Sequence, residues 1–347
     1  MIRRERLFGA IIAGVAALFS GVVAGAETIN FQLNTGKRGQ NVLLASDIFR
    51  WQDALPMKET APGQYSVSMV EPWLYRMEYK FIVDGHWIPD PGNSELASDG
   101  MGGWNSVRHV DFREDPILGA SDPGSFVRNE ITVRDWEGDS RIIKVVRPRN
   151  TRGKRLVVVY FNDGDGYLEY ANAENLLANL SKDPKMPAFA GVFLNAKDRD
   201  REYYANDDYA AFVARTVVPA VERTLNAKIQ PTDRLIIGIS LGGLSSFYIT
   251  LKHPDVFPFV TSQSGSLWFE PSRMHRILRK LSGRKLRFVI QMGLYDESDM
   301  VSSSREMARA LEGMGFDVIH TEFPGTHDWV PWRNLLQQTL RHFFETR

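Results

Sequence analysis

Leu235-Ile236-Ile237-Gly238-Ile239-Ser240-Leu241-Gly242-Gly243 is the stretch that decides how this chain is read. Its first half is apolar on both faces, as a central strand of a parallel sheet must be. Its second half, Gly238-x-Ser240-x-Gly242, fits a sharp strand-to-helix turn whose flanking glycines let neighbouring backbone pass without a Cβ clash. A serine on such a turn stands at the carboxyl edge of the sheet and at the amino end of the next helix, where the dipole favours developing negative charge. The pattern assigns Ser240 as a nucleophile and the Leu241 amide as one donor of an oxyanion hole.

Outward from this turn, strand-like and helical runs alternate. The strands are expected at 130–134, 141–146, 156–161, 190–194, 234–239, 257–262, 286–292 and 318–323. The clearest helices are expected at 169–180, 207–225, 242–251, 302–314 and 331–344. This alternation predicts an α/β domain, a doubly wound and mostly parallel sheet covered on both faces. Residues 28–112 differ, with short alternating runs between turn signals. Tyr65, Val67 and Met69 share one face of such a run, and another closes on the hairpin pair Asp84-Gly85. That pattern predicts a small all-β sandwich. Two Asp-Pro steps and two glycines between Glu114 and Ser125 read as a linker. The expected division is a leader at 1–26, a sandwich at 27–113, a linker at 114–127 and the α/β domain at 128–347.

The leader has a positive start at Arg3, Arg4 and Arg6, an uncharged core from Leu7 to Phe19, and an Ala24-Gly25-Ala26 exit. These are the parts of a secretory signal cleaved after Ala26, which predicts export to the periplasm or beyond and no membrane anchorage afterwards. The whole chain of 347 residues balances 42 basic against 42 acidic groups, and removing the leader leaves it slightly acidic. No basic stripe is available for a nucleic acid backbone. The chain has no cysteine, which excludes disulfides, thiolate metal sites and a thiol nucleophile. No metal-ligand spacing is present either, and no cofactor is expected.

A serine hydroxyl needs a base, and this type of turn takes its partners in the order serine, acid, histidine. Of seven histidines, His86 and His109 lie in the β region, and His253 and His275 precede any suitable acid loop. His320 falls in a strand and His342 in the last helix. His327, in the loop between the last strand and last helix, can reach the sheet edge. The acid should follow the preceding strand, where Asp296 stands with Glu297 and Asp299 as alternatives; it would fix the His327 tautomer. The second oxyanion donor is expected from the loop Asn162-Asp163-Gly164-Asp165-Gly166-Tyr167, through the Asp165 amide.

From Leu156 onward the chain resembles the esterase D superfamily of α/β-hydrolases, in particular its enterochelin esterase-like members. The resemblance rests on Asn162-Asp163-Gly164, Arg199 with Glu202, Gly238 to Gly243, Ser262-Gln263-Ser264-Gly265-Ser266-Leu267-Trp268, and Gly325-Thr326-His327-Asp328-Trp329 followed by Trp332. It implies a serine carboxylic ester hydrolase using Ser240, Asp296 and His327, with Arg199 near the substrate. Members cleave catecholate siderophore trilactones or release feruloyl groups from plant polysaccharide. Where the family often has histidine before Asp163, this chain has Asn162.

The stretch from Arg76 to Pro91 resembles glycogen-binding early-set modules. That likeness implies an immunoglobulin-like sandwich with Trp51, Trp87 and Lys80 as candidates for weak polysaccharide contact, or a sandwich that only packs on its neighbour. Arg199 reads as a substrate clamp or as one member of a solvated charge run. Trp268, Trp329 and Tyr167 read as walls of an aromatic pocket or as core lids. The expected partner is a small or glycan-linked ester, and the competing classes are a peptidase and an inactive polysaccharide-binding protein.

Overall fold

The computed structural model describes residues 28–345, apart from Pro72, Trp73, Gly100, Asp111 and Arg152. The proposed leader therefore lies outside the described residues.

The first part carries β1 (Thr28–Asn34), β2 (Val42–Ser46), β3 (Ala54–Pro56), β4 (Lys58–Ala61), β5 (Gln64–Val70), β6 (Arg76–Val83), β7 (His86–Ile88), β8 (Leu96–Ser98) and β9 (Trp104–His109). One sheet has the order β1-β5-β4 and the other β3-β2-β6-β9-β8, with β7 paired to β6. Alternation drives the pairing of the two sheets. Ile29, Phe31 and Leu33 of β1 with Tyr65 and Met69 of β5 turn inward onto Leu44, Met77, Tyr79 and Phe81 of the second sheet. Asp84 and Gly85 close the β6–β7 hairpin with φ of 49° and 85°, the mirror-image geometry of a two-residue turn.

The second part adds β10 (Phe126–Arg134), β11 (Ser140–Pro148), β12 (Leu156–Asn162), β13 (Ala188–Leu194), β14 (Arg234–Ile239), β15 (Phe259–Gln263), β16 (Arg287–Gly293) and β17 (Asp317–Phe323). They form one sheet in the order β10-β11-β13-β12-β14-β15-β16-β17. β10 and β11 pair antiparallel, and every pairing from β13 to β17 is parallel. Around the sheet lie α1 (Gly164–Glu169), α2 (Ala173–Lys182), α3 (Arg199–Tyr203), α4 (Asp207–Phe212), α5 (Val218–Leu225), α6 (Ser240–Lys252), α7 (Pro271–Lys280), α8 (Ser298–Gly313) and α9 (Trp329–Phe344). Strand β12 shows why both faces are covered. Val158 and Tyr160 join a core with Leu244 and Phe247 of α6, while Val157, Val159 and Phe161 join another with Leu176 of α2 and Trp332 of α9.

Three local expectations change. The helix expected at 207–225 contains a wider π-type turn at Val213–Val217. Pro219 follows at the start of α5 and has no N–H for the ordinary ladder, so the chain unwinds there. The helix expected at 169–180 breaks at Asn172, whose φ is 48°. The 114–127 linker is packed rather than free. It forms short 3-10 turns, buries Leu118, and is gripped by Asn179, which donates to the carbonyls of Ile117 and Gly119. Strand β10 already begins at Phe126.

Candidate active site

Ser240 is the first residue of α6 and has φ of 51°, a left-handed conformation that costs free energy for a residue with a Cβ. Its neighbours permit the turn. A Cβ on Gly238 would overlap the Gly242 carbonyl, and one on Gly242 would overlap the Asp163 carboxylate. Leu241 sits in the first turn of α6, where amides have no intrahelical acceptor.

His327 follows β17 and Asp296 follows β16, so both arrive at the edge where β14 delivers Ser240. His327 Nδ1 pairs with Asp296 Oδ1 at 2.8 Å. The Asp296 side chain is fully buried, whereas that of His327 is 39% exposed. The second oxygen, Asp296 Oδ2, accepts from Ser264 Oγ at 2.6 Å and from the Gly293 amide at 3.0 Å. Ser264 Oγ in turn accepts from Trp332 Nε1 at 3.0 Å. Two residues on, the Ser266 amide donates to the Ser240 carbonyl at 3.1 Å, so one short loop ties the serine turn to the buried acid. Trp332 also presents an aromatic contact to the His327 ring, with centroids 4.9 Å apart. Glu297 and Asp299 are placed at the start of α8, and the carboxylate paired with the histidine is that of Asp296. Nothing local in the sequence gives Ser264 or Trp332 a task; the signal for Ser264 is the polar Ser262-Gln263-Ser264 run at the end of a buried parallel strand.

Two expectations are corrected. The Asp165 amide donates to Asn195 Oδ1 at 3.0 Å, which removes it as an oxyanion donor. Its carboxylate is turned to Lys144 at 2.7 Å, and that bond holds the acid below its ordinary range. Tyr167 is fully buried and donates its hydroxyl to Gln263 Oε1 at 2.8 Å, so it supports the site from beneath and cannot line a pocket.

Arg199 is neither a free clamp nor a merely solvated charge. Its Nε and Nη2 fork onto the two oxygens of Asp163 at 2.9 and 3.0 Å, and its guanidinium lies 5.7 Å from the Tyr203 ring centroid. Burial pulls its pKa down, and the Asp163 bonds more than offset that, so the cation is held above its ordinary range. Asn162, the departure from the family pattern, is fully buried. It donates to Ser246 Oγ and accepts from Tyr209, which anchors the β12 end against α6.

Trp329 lies across Gly166 of α1 and meets Tyr167, Tyr170 and Trp332. Trp268 is 40% exposed and meets Tyr204 and Phe269, two residues beyond the amide that binds the Ser240 carbonyl. In the β part, Trp51 and Trp87 are paired with centroids 6.3 Å apart and Trp87 is exposed. Lys80, by contrast, is committed to Asp99 at 2.8 Å in a mostly buried pair and is withdrawn as a glycan contact.

Residues 138–343, well over half of the chain, match the Esterase family. The chain belongs to that family. This esterase-family chain is 27% identical over 271 residues to the iron(III) enterobactin esterase of Escherichia coli K12, covering 73% of the chain and 66% of that relative. It thus spans just under two thirds of that relative's length. An endo-1,4-beta-xylanase/feruloyl esterase of Xylanibacter ruminicola is 22% identical over 213 residues, which are 58% of this chain and 28% of that one. A crystal structure of the enterobactin esterase from Shigella flexneri, in the presence of enterobactin, superposes with a TM-score of 0.72 at 19% identity, over 91% of this chain and 92% of that one. That likeness shows a shared fold.

Proposed function

We propose that this chain is a serine carboxylic ester hydrolase working through an acyl-enzyme. The observation that carries the reading is the Ser240 turn joined, through the Ser264–Ser266 loop, to a His327–Asp296 pair whose carboxylate is fully buried. Ser240 Oγ attacks the ester carbonyl as His327 Nε2 takes its proton, and the Leu241 amide stabilises the oxyanion. The C–O bond to the alcohol breaks as His327 returns the proton to it. Water, deprotonated by the same histidine, then attacks the acyl-Ser240 ester, and the C–Oγ bond breaks as His327 passes that proton to Ser240 Oγ and the acid leaves. Asp296 holds the Nδ1–H tautomer and balances the imidazolium throughout.

The exposed Trp268 with Tyr204 and Phe269 supports aryl acyl groups, stacked beside the serine turn. Catecholate siderophore-type esters are the first choice, in keeping with the relatives named above, and feruloyl or acetyl esters on polysaccharide the second. The Trp51–Trp87 pair, with Trp87 exposed, supports a weak polysaccharide contact by the β-sandwich. Export rests on residues 1–26; among the described residues no helix is long and apolar enough to cross a membrane.

Turnover of p-nitrophenyl and 4-methylumbelliferyl esters by the wild type and its loss in Ser240→Ala test the chemistry. A panel setting a ferric catecholate trilactone against a feruloyl oligosaccharide tests the substrate. Absence of turnover across acyl chains, with retention on xylan or glycogen, would favour the inactive binding protein instead.

A further inference from the structure

We propose that the β-sandwich is a positioning element for the catalytic histidine, with Arg76 and Asp47 as its positioning residues; this rests on reading His327 as the general base. The loop between β17 and α9 is short, and His327 stands at its exposed tip, hydrogen-bonded to Asp296. Residues on both sides of it are held from the first part of the chain. Thr326 Oγ1 donates to Asp47 Oδ2 at 3.2 Å, across 279 positions of sequence. Arg76 Nη1 donates to Asp328 Oδ2 at 3.1 Å, across 252 positions. Tyr75 closes on Gly325, where an added Cβ would stand 3.0 Å from its hydroxyl.

These anchors are themselves fixed. Asp47 Oδ1 accepts from the Ile48 and Glu78 amides and from Ser46 Oγ, which pins the carboxylate to the start of its turn and to β6. Arg76 is 10% exposed and bridges Asp328 to Glu78, whose other oxygen accepts from Asn105 of β9. Asp328 also caps α9 by accepting from the Trp329 amide at 2.6 Å. The acid loop is gripped in the same way: Tyr295, beside Asp296, donates its hydroxyl to Glu71 at 3.2 Å and its amide to the Gly325 carbonyl at 3.1 Å. Both loops that deliver the histidine and its acid are thus registered against the one sandwich. Because a displacement of about 1 Å in a catalytic group costs on the order of 100-fold in rate, contacts that fix Thr326 and Asp328 set the efficiency of proton transfer without touching substrate.

The test uses the full chain with p-nitrophenyl butyrate, counting active sites by titration with a fluorophosphonate. Arg76→Met and Thr326→Val are each expected to lower kcat per titrated site about 10- to 100-fold with KM within about twofold. Thr326→Ser, which keeps the hydroxyl, is expected to recover most of the loss. An unchanged kcat per titrated site overturns the proposal, whether total activity is normal or falls only because fewer sites titrate. So does equal loss in Thr326→Ser and Thr326→Val. Ser240→Ala separates the two levels: if it retains full turnover, the esterase reading and the proposal fall together, whereas a dead Ser240→Ala beside a normal Arg76→Met removes only the proposal.

Discussion

Ser264 donates its hydroxyl to Asp296 Oδ2 at 2.6 Å, on the side of the carboxylate away from His327. The same oxygen atom of Ser264 receives the indole N–H of Trp332, so a buried relay runs from α9 through the residue just past β15 to the acid. Ser264→Ala deletes the central member and leaves the Trp332 N–H without its acceptor. The expected cost is about 1–3 kcal/mol of stability, the penalty for stranding a buried polar group. A kcat lower by roughly tenfold should accompany it, as Asp296 Oδ2 loses one of the two hydrogen bonds that hold it. Thermal unfolding and steady-state kinetics on one preparation check both.

Asp296→Asn keeps the shape of the acid and removes its charge. A loss of about 10³- to 10⁴-fold in kcat is expected, since the amide favours the wrong imidazole tautomer. Glu297→Gln and Asp299→Asn should stay within about twofold, because Asp296 is the carboxylate bonded to His327 Nδ1. A comparable loss in Glu297→Gln would move the acid to that position.

Part of this was legible in sequence for identifiable reasons. Ser240, Asp296 and His327 each follow a strand in the parallel part of one sheet, and chain order alone brings such loops to one edge. The Asp165 amide was misassigned because its competitor, Asn195, stands 30 positions away at the end of β13, where no local pattern announces it. Tyr167 failed for a similar reason. An aromatic residue in a glycine-rich loop can face a pocket or the core, and the buried acceptor on Gln263 of β15 decides for the core. The ties from Asp47 and Arg76 to the histidine loop join residues more than 250 positions apart and carry no short-range signature.

Tyr167→Phe distinguishes support from substrate contact. It removes a buried hydrogen bond to Gln263 and is expected to cost about 1 kcal/mol of stability. The KM for aryl esters should be unchanged within about twofold. Trp268→Ala, on the exposed side, should raise that KM several-fold and leave stability nearly unaltered.

Gly242→Ala tests the crowding beneath the serine turn. A methyl group there runs into the Asp163 carboxylate, which Arg199 holds by two bonds and which has no slack to retreat. Overpacking of this kind costs about 1–3 kcal/mol. Because the strain falls one residue from the Leu241 amide, kcat should drop by about 10²-fold. Kinetics of Gly242→Ala in a second background, Arg199→Met, should show partial recovery if the locked carboxylate is the obstacle.

Asp47 gives the sandwich contact a pH dependence. Burial pushes its carboxyl from 3.8 up to about 7, with the neighbouring Glu78 adding to the rise and backbone and Ser46 hydrogen bonds, then Arg76, opposing it. Asp328, across the same contact, is raised for the same first reason. A carboxyl with a raised folded pKa binds its proton more tightly in the native chain than in the unfolded one. Its contribution is therefore complete below about pH 4 and is lost as pH rises through about 7. Asp47 keeps some contact with solvent, which limits the effect to about 1 kcal/mol, or a Tm change of roughly 2–4 °C. Asp47→Asn replaces the acid by a neutral isostere whose oxygen keeps the Ile48 and Glu78 amides and whose NH2 faces the Thr326 hydroxyl, which can accept from it. Relative to the wild type, its Tm should therefore rise between pH 5 and pH 8 by about that amount. A constant difference between the two Tm curves across this range would show that Asp47 is ionised throughout and that the contact is insensitive to pH.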